Sequence, residues 1–319
     1  MNFLKKSIVV LSAAVSLLSS ASAADKDLSD YKAVSSLSGK LNSVGSDTLN
    51  NLMALWSEAF QRKYPNVNIE VEGKGSSTAP PALTQGISQL APMSRQMKSS
   101  EIDAFEKKYG YKPTAIGVSI DALAVFVHKD NPIKGLNFAQ LDSIFSATYK
   151  YGGSNITTWG ELGLNGQWDK SPVSMYGRNS ASGTYSYFKK HALKKGDYKA
   201  TVKEMPGSSS VISSIAKEIN AIGYSGIGYK TSEVRVLPLT KKGETFFEPT
   251  LENCLNRKYP LSRVLYIYIN KDPRKKLDKL TVEFLTFVLS KEGQEIVEKD
   301  GYYPVPAAMA RQFVKTLNK

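Results

Sequence analysis

Cysteine occurs once in this chain, at Cys254, and histidine twice, at His128 and His191. A lone cysteine has no partner for an internal disulfide, so the chain must be held by its cores. It is expected to be buried. Two histidines and one cysteine with no close spacing argue against a zinc site. His128 ends an apolar strand and His191 lies in the helix-like KKHALKK, so both read as structural or surface residues. No G-x-S-x-G elbow is present, and neither a metal cluster nor an activated nucleophile is suggested. A hydrolase therefore has little to build on. After the N-terminus no apolar run approaches the roughly 18 residues that a spanning helix needs. Tandem repeats and low-complexity segments are also missing.

The first 23 residues, MNFLKKSIVVLSAAVSLLSSASA, combine a basic start at Lys5 and Lys6 with a short apolar run and a small-residue end, Ala21-Ser22-Ala23. That pattern predicts a secretory signal peptide cleaved after Ala23, hence export. No lipobox cysteine follows it, so a freely diffusing periplasmic protein is expected. Removing Lys5 and Lys6 with the leader lowers the net charge from +13 to +11. A basic balance attracts anions. The lysines come in scattered pairs such as Lys189-Lys190 and Lys194-Lys195, without the interleaved aromatics that stack bases. Nucleic acid is not an expected partner.

Along the rest of the chain strands and helices alternate. LNSVG reads as a strand, and the next segment places Leu49, Leu52, Met53, Trp56 and Phe60 on one helical face. Val67, Ile69 and Val71 alternate with period two, as a half-buried strand does. A glycine- and serine-rich loop then leads into a helix with Pro80 and Pro81 in its first turn. Such alternation predicts an α/β fold. DALAVFVHKDNP (121–132) and RVLYIYINKDP (263–273) are similar apolar strands ending in proline-stopped turns, and they bracket a long insert. Domain I is therefore expected at 24–120 and 262–319, and domain II at 121–261. The lead-in DKDLSDYKAVSSLS reads as loose, and KLTVEFLTFVLSKEGQEIVEKDG as a helix with Gly293 as its point of interruption.

Four loops share one chemical character: Gly45-Ser46-Asp47-Thr48-Leu49, Gly75-Ser76-Ser77-Thr78, Met93-Ser94-Arg95, and Arg178 to Thr184 (RNSASGT). Helix starts carry unpartnered N–H groups and partial positive charge, so they suit anions. Hydroxyls add donors, glycine lets the backbone approach closely, and arginine offers a planar fork for two oxygens. Any one such loop alone reads first as ordinary helix capping. Four together, two with arginine and lying on both sides of the crossover, could converge on one small tetrahedral anion.

At these residues the chain resembles the periplasmic phosphate-binding proteins that serve ABC-type phosphate transporters. GSDTL, KGSSTA, APMSR, ITTWGELG, RNSASGT, GYSGIGY, YPLSRVLYIYIN and GQEIVEKDGYYPVP carry the resemblance. It implies a two-domain type II periplasmic binding fold, each domain a mixed sheet flanked by helices and joined by two crossover strands. It also implies high-affinity capture of inorganic phosphate without chemistry, no cofactor, a monomeric receptor, and delivery to membrane permease subunits. The ligand residues it implies are Thr48, Leu49 (through its amide), Ser76, Ser94, Arg95, Arg178, Ser182, Gly183 and Thr184. One position departs from the family pattern. Many members place an aspartate, acceptor of the phosphate proton, where Arg95 stands here. Arg95 is open to two readings, a cation lining the cleft or a structural ion pair. Asp47 is a candidate for the missing acceptor, with simple N-capping as its other reading. The rival functions are a receptor for another oxyanion (sulfate, molybdate or a phosphorylated metabolite), a secreted phosphatase, and an adhesin.

Overall fold

The structure, a computed structural model, describes residues 24–319; the expected leader at 1–23 lies outside the described residues. Strand β1 (Gly39–Val44) pairs in parallel with β2 (Val67–Glu72), Gly39 opposite Val67 and Val44 opposite Glu72. Parallel neighbours need a crossover. It is supplied by a single 3-10 turn, Asp47–Leu49, and helix α1 (Asn50–Lys63), which buries Leu52, Met53, Trp56 and Phe60. A second 3-10 turn, Ser76–Thr78, opens α2 (Ala79–Gln85), where Pro80 and Pro81 lie in the first turn and Gly86, left-handed at φ 81°, ends the helix. Strand β3 (Ala91–Met93) and helix α3 (Ser99–Tyr109) follow.

The central strand is β4 (Thr114–His128), 15 residues long and buried along nearly its whole length. A strand covered on both faces has no reason to alternate polar and apolar residues, which accounts for the continuous ALAVFV run. Beyond it lie β5 (Leu136–Asn137), α4 (Phe138–Phe145), β6 (Ser174–Arg178), α5 (Gly183–Ala192), β7 (Lys203–Met205) and α6 (Ser208–Lys217). The chain continues through β8 (Ala221–Gly226), β9 (Val234–Val236), β10 (Leu239–Thr240), α7 (Leu251–Leu255) and β11 (Ser262–Ile269). Three helices close it: α8 (Lys279–Val288), α9 (Lys291–Lys299) and α10 (Ala307–Asn318).

The large sheet runs β3-β11-β4-β8-β6-β7, with β9 also on β4. The two apolar segments singled out in the sequence are direct neighbours. Strand β11 lies antiparallel to β4 from Thr114 opposite Ile269 to Ala122 opposite Ser262. At the next residue β4 changes partner: Leu123 lies opposite Gly226 and the pairing continues with β8. Arg263 stands opposite Asp121 just before this handover.

Two local expectations are corrected. The lead-in is packed rather than loose, because Leu28 and Leu37 are buried and the Tyr31 hydroxyl donates to Glu283 Oε2 at 2.9 Å. Its apolar residues are too sparse to show a period. The last long helical run breaks at Ser290 and not at Gly293. Ser290 caps α9 by accepting the Gly293 amide, and Gly293, buried within α9, offers its carbonyl to Trp56 Nε1 at 2.8 Å. A Cβ at Gly293 would come within 2.2 Å of the Phe287 carbonyl oxygen, so the glycine serves close approach there. Cys254 is buried as expected, and burial pushes its thiol up to about 12.

Asp300 sits at the C-terminal end of α9 with Asn51 Nδ2 donating to its Oδ1, while Oδ2 is buried without a partner. Burial raises its carboxyl from 3.8 to about 6, and the Asn51 bond offsets this only in part. The native state therefore holds this proton more tightly than the unfolded chain. Stability is favoured at low pH and declines as pH rises from about 4 through 6. Asp300→Asn keeps an acceptor for Asn51 and removes the buried charge. It is expected to raise stability at neutral pH by roughly 1–3 kcal/mol and to flatten that part of the pH profile in urea unfolding.

Candidate functional site

The four loops meet. The turn Asp47–Leu49, the turn Ser76–Thr78, the Met93-Ser94 end of β3 and the N-terminus of α5 are joined by hydrogen bonds among buried side chains. Thr48 Oγ1 lies 2.9 Å from Thr184 Oγ1. Ser76 Oγ lies 3.2 Å from Ser94 Oγ and accepts the Ser94 amide at 3.0 Å. The Ser77 amide donates to the Ala181 carbonyl at 3.0 Å. Ser76, Ser94 and Thr184 have no solvent exposure. A Cβ added to Gly183 would come within 2.3 Å of Ser76 Oγ and 2.6 Å of Ser94 Oγ. The loops from before and after the handover point of β4 are thus in contact.

Each side chain is placed by its element. Ser182 is the N-cap of α5, accepting the Thr184 and Tyr185 amides, so its hydroxyl oxygen is already engaged. Gly183 is the first helical residue, where an amide has no intrahelical acceptor. The Leu49 amide, by contrast, is spent on the Ser46 carbonyl at 3.2 Å. Gly75 has φ 117°, and a side chain there would meet the Ala181 carbonyl. Glycine is what allows the two loops to touch.

Arg178, at the end of β6, is 1 % exposed. Its Nη1 donates to Ser208 Oγ at 2.6 Å, and its Nη2 to the Pro206 carbonyl at 3.2 Å and to Asp47 Oδ2 at 3.0 Å. Nε is buried with no partner. Desolvation lowers the guanidinium pKa and the Asp47 carboxylate opposes that shift. Asp47 does not cap its own helix; the N-cap there, Ser46, makes no side-chain bond either. Asp47 instead reaches across to the start of α6, accepting the Ser208 amide and hydroxyl, both at 2.9 Å. Its carboxylate offsets the Arg178 charge while holding the loops together.

Arg95 forms a two-pronged ion pair with Glu101, at 2.8 and 2.7 Å, and donates to the Gln96 carbonyl at 3.0 Å. Of its two sequence readings the structure shows the ion pair. Glu101 in turn accepts the Lys98 amide at the start of α3. Arg95 still touches the site's edge through Ser77 Oγ at 3.4 Å, and its Nε is buried without a partner.

Sequence reasoning missed Arg263 and Asp121. Arg263 Nε donates to Asp121 Oδ2 at 2.8 Å, Nη1 to the Ser94 carbonyl at 2.9 Å and Nη2 to Thr184 Oγ1 at 2.9 Å. Asp121 Oδ1 accepts the Ile227 amide. A carboxylate in one largely apolar strand and a guanidinium in the other were the available signal. Outside this centre, a groove of about 1040 Å³ is lined by Arg95, Lys98, Lys189, Lys190, Lys195 and Arg263 with no acidic residue among its lining. His191, also on its wall, stacks on Tyr187 and is pushed down to about 4 by burial and neighbouring cations. Among the described residues no group of three or more His, Cys, Asp or Glu could hold a metal ion.

Residues 30–292 match the family model described as the PBP superfamily domain. The chain is 55% identical over 316 residues to the phosphate-binding protein PstS of Pseudomonas aeruginosa, covering 98% of both chains. It is 30% identical to PstS of Staphylococcus epidermidis, covering 85% of this chain and 80% of that one. Among solved structures it superposes, with a TM-score of 0.71 and 28% identity, on a protein from Clostridium perfringens named as a phosphate ABC transporter substrate-binding protein with bound phosphate. That match covers 84% of this chain and 100% of the other. An ABC-type phosphate transport receptor from Vibrio cholerae shares the fold, with a TM-score of 0.65. The mixed sheet with flanking helices is that of the type II periplasmic binding proteins. The chain belongs to the PstS phosphate-binding protein family, within the PBP superfamily.

Proposed function

We propose that this protein captures inorganic phosphate in the centre formed by the four loops and delivers it to an ABC-type import permease in the membrane. The observation that carries this is the meeting, out of solvent, of Thr48, Ser76, Ser94, Gly183 and Thr184 beside a buried arginine with an unspent N–H. Every one of these groups can donate, and a buried donor without an acceptor is costly. A tetrahedral oxyanion satisfies several at once. The chemistry is binding alone, as in the relatives named for phosphate binding. Arg178 supplies the fixed charge, with the Thr48, Ser76 and Thr184 hydroxyls and the Gly183 amide as the neutral donors. Ser182 acts by capping α5, and Ser94 by its hydroxyl beside Ser76. The Leu49 amide needs a small unwinding of its turn to contribute. Arg95 shapes the site's edge through Ser77 and Glu101. Asp47, beside Arg178, is the carboxylate placed to accept the proton of hydrogen phosphate.

The lobes we assign are 24–120 with 262–319, and 121–261. The change of partner along β4 at Ala122 and Leu123, next to the start of β11 at Ser262, supports that boundary. Closure of the two about these strands is a hinge motion. A monomer released into the periplasm by cleavage after Ala23 fits a shuttle between solution and permease. Isothermal titration with phosphate and with sulfate tests the reading. Tight phosphate binding with weak sulfate binding is expected, and equal or sulfate-favouring affinities would replace it with another oxyanion receptor.

The cationic groove beside the centre predicts a rate effect. Lys98, Lys190 and Lys195 line it. Charges lining a cleft of one sign steer oppositely charged ligands and act on association more than on release. Replacing the three by glutamine is expected to slow phosphate association several-fold at low salt and to flatten its salt dependence. Dissociation should stay within about twofold in stopped-flow measurements.

A further inference from the structure

We infer that Arg263 is a positioning residue for the anion site, turning the Thr184 hydroxyl into a donor and thereby favouring the phosphate dianion over the monoanion. This rests on the reading of the centre as a phosphate site. The guanidinium has three nitrogens, and together they hold three segments: Nε on Asp121 in β4, Nη1 on the Ser94 carbonyl after β3, and Nη2 on both Thr184 Oγ1 in α5 and Asp121 Oδ2, the latter at 2.7 Å. The side chain is 2 % exposed, and the Asp121 side chain is not exposed at all. Its plane is therefore fixed by acceptors on three sides. The Tyr187 ring, 5.3 Å away, covers part of it.

Arginine can only donate. The Thr184 oxygen must then point a lone pair at Nη2, and the field of the cation turns the hydroxyl hydrogen away from it. Thr48 Oγ1 lies 2.9 Å from the same oxygen, within the centre itself. An anion seated there meets a hydroxyl presented as a donor. The dianion, HPO4 with one proton, supplies acceptors on its bare oxygens. The monoanion carries one more proton, and that proton finds a donor where it needs an acceptor. A mismatched buried hydrogen bond of this kind changes affinity by about tenfold.

The charged and titratable groups around Arg263 are Asp121 in β4, Tyr187 and His191 in α5, Arg178 at the end of β6 and Tyr302 after α9, with Arg95, Lys98, Lys189, Lys190, Lys195 and Tyr266 lining the same groove. His191 is held down to about 4, Tyr187 is pushed up to about 12 by burial, and Tyr302 lies well above its ordinary value. Asp300 titrates alike in variant and parent. The ligand's own second ionisation then dominates the comparison.

The test measures phosphate affinity by titration calorimetry below and above the pH at which monoanion and dianion exchange. It uses the parent, Arg263→Gln paired with Asp121→Asn, and Arg263→Lys. The double change leaves no lone buried charge, and the lysine keeps charge opposite Asp121 but cannot reach three acceptors. The parent should favour the dianion, and both variants should lose about tenfold of that preference with circular dichroism unchanged. Thr184→Val should remove the preference by itself and be non-additive with the Arg263 changes. A preference unchanged in both folded variants overturns the inference and leaves the phosphate site standing. A parent that binds no phosphate overturns the site reading and this inference together.

Discussion

Arg178→Ala is expected to lower phosphate affinity by about 2–5 kcal/mol, roughly 30-fold to several thousand-fold, read by titration calorimetry. Two effects add. The anion loses the fixed charge of the Arg178 guanidinium, along with its unpartnered Nε donor. Asp47 also loses the charge opposite it, and a carboxylate facing the ligand without its guanidinium repels any anion. Double replacement separates the two. Arg178→Ala with Asp47→Asn should recover part of the loss, because the residual repulsion is gone. Recovery to within about twofold of the parent would mean that the arginine serves only to neutralise Asp47. Arg178→Lys should fail to restore binding, since Ser208, the Pro206 carbonyl and Asp47 are held by a planar fork that an ammonium cannot reproduce. Folding should survive better than binding. The side chain lies at the end of β6, and its bonds to Ser208 and Pro206 tie down a loop rather than a core.

The positions of these residues were more legible in the sequence than their partners. Thr48, Ser76 and Thr184 announce themselves because hydroxyls cluster at predicted helix starts, and local preference decides helix starts. Period-two and helical spacing likewise located β2 and α1. What the sequence did not carry was pairing across distance. Nothing around Asp47 indicates Ser208 at the head of α6, and nothing around Arg95 distinguishes a cleft cation from the Glu101 pair that the structure contains. Arg263 and Asp121 carry no local signal of a site within their largely apolar strands. Their meaning depends on a register, Arg263 opposite Asp121, that only the assembled sheet fixes. The lead-in was misjudged for a related reason. Two buried leucines, Leu28 and Leu37, are too few for a period, yet enough to seat a segment whose tyrosine reaches Glu283.

Gly183→Ala should abolish tight phosphate binding while leaving the fold intact or slightly firmer. Gly183 occupies the first position of α5, where alanine is the better helix former by up to about 1 kcal/mol. Its backbone is not among the positive-φ positions, so alanine meets no backbone strain there. The difficulty lies across the loops. An added Cβ would stand 2.3 Å from Ser76 Oγ and 2.6 Å from Ser94 Oγ, distances that real Cβ atoms do not show. Ser76 cannot retreat cheaply, because its oxygen accepts the Ser94 amide and its turn is fixed by the Ser77 bond to Ala181. The strain can be relieved by moving α5 away from the turn, which parts Thr184 from Thr48 and disperses the donors. Affinity should fall at least about 100-fold, carried mainly by faster release, with the melting temperature unchanged or raised. Small-angle scattering in saturating phosphate should show the parent compacting and the variant remaining open. An alanine variant that binds like the parent would show that the loops need not touch for the anion to be held. The buried meeting of the two sides, the premise of the whole site, would then lose its functional meaning.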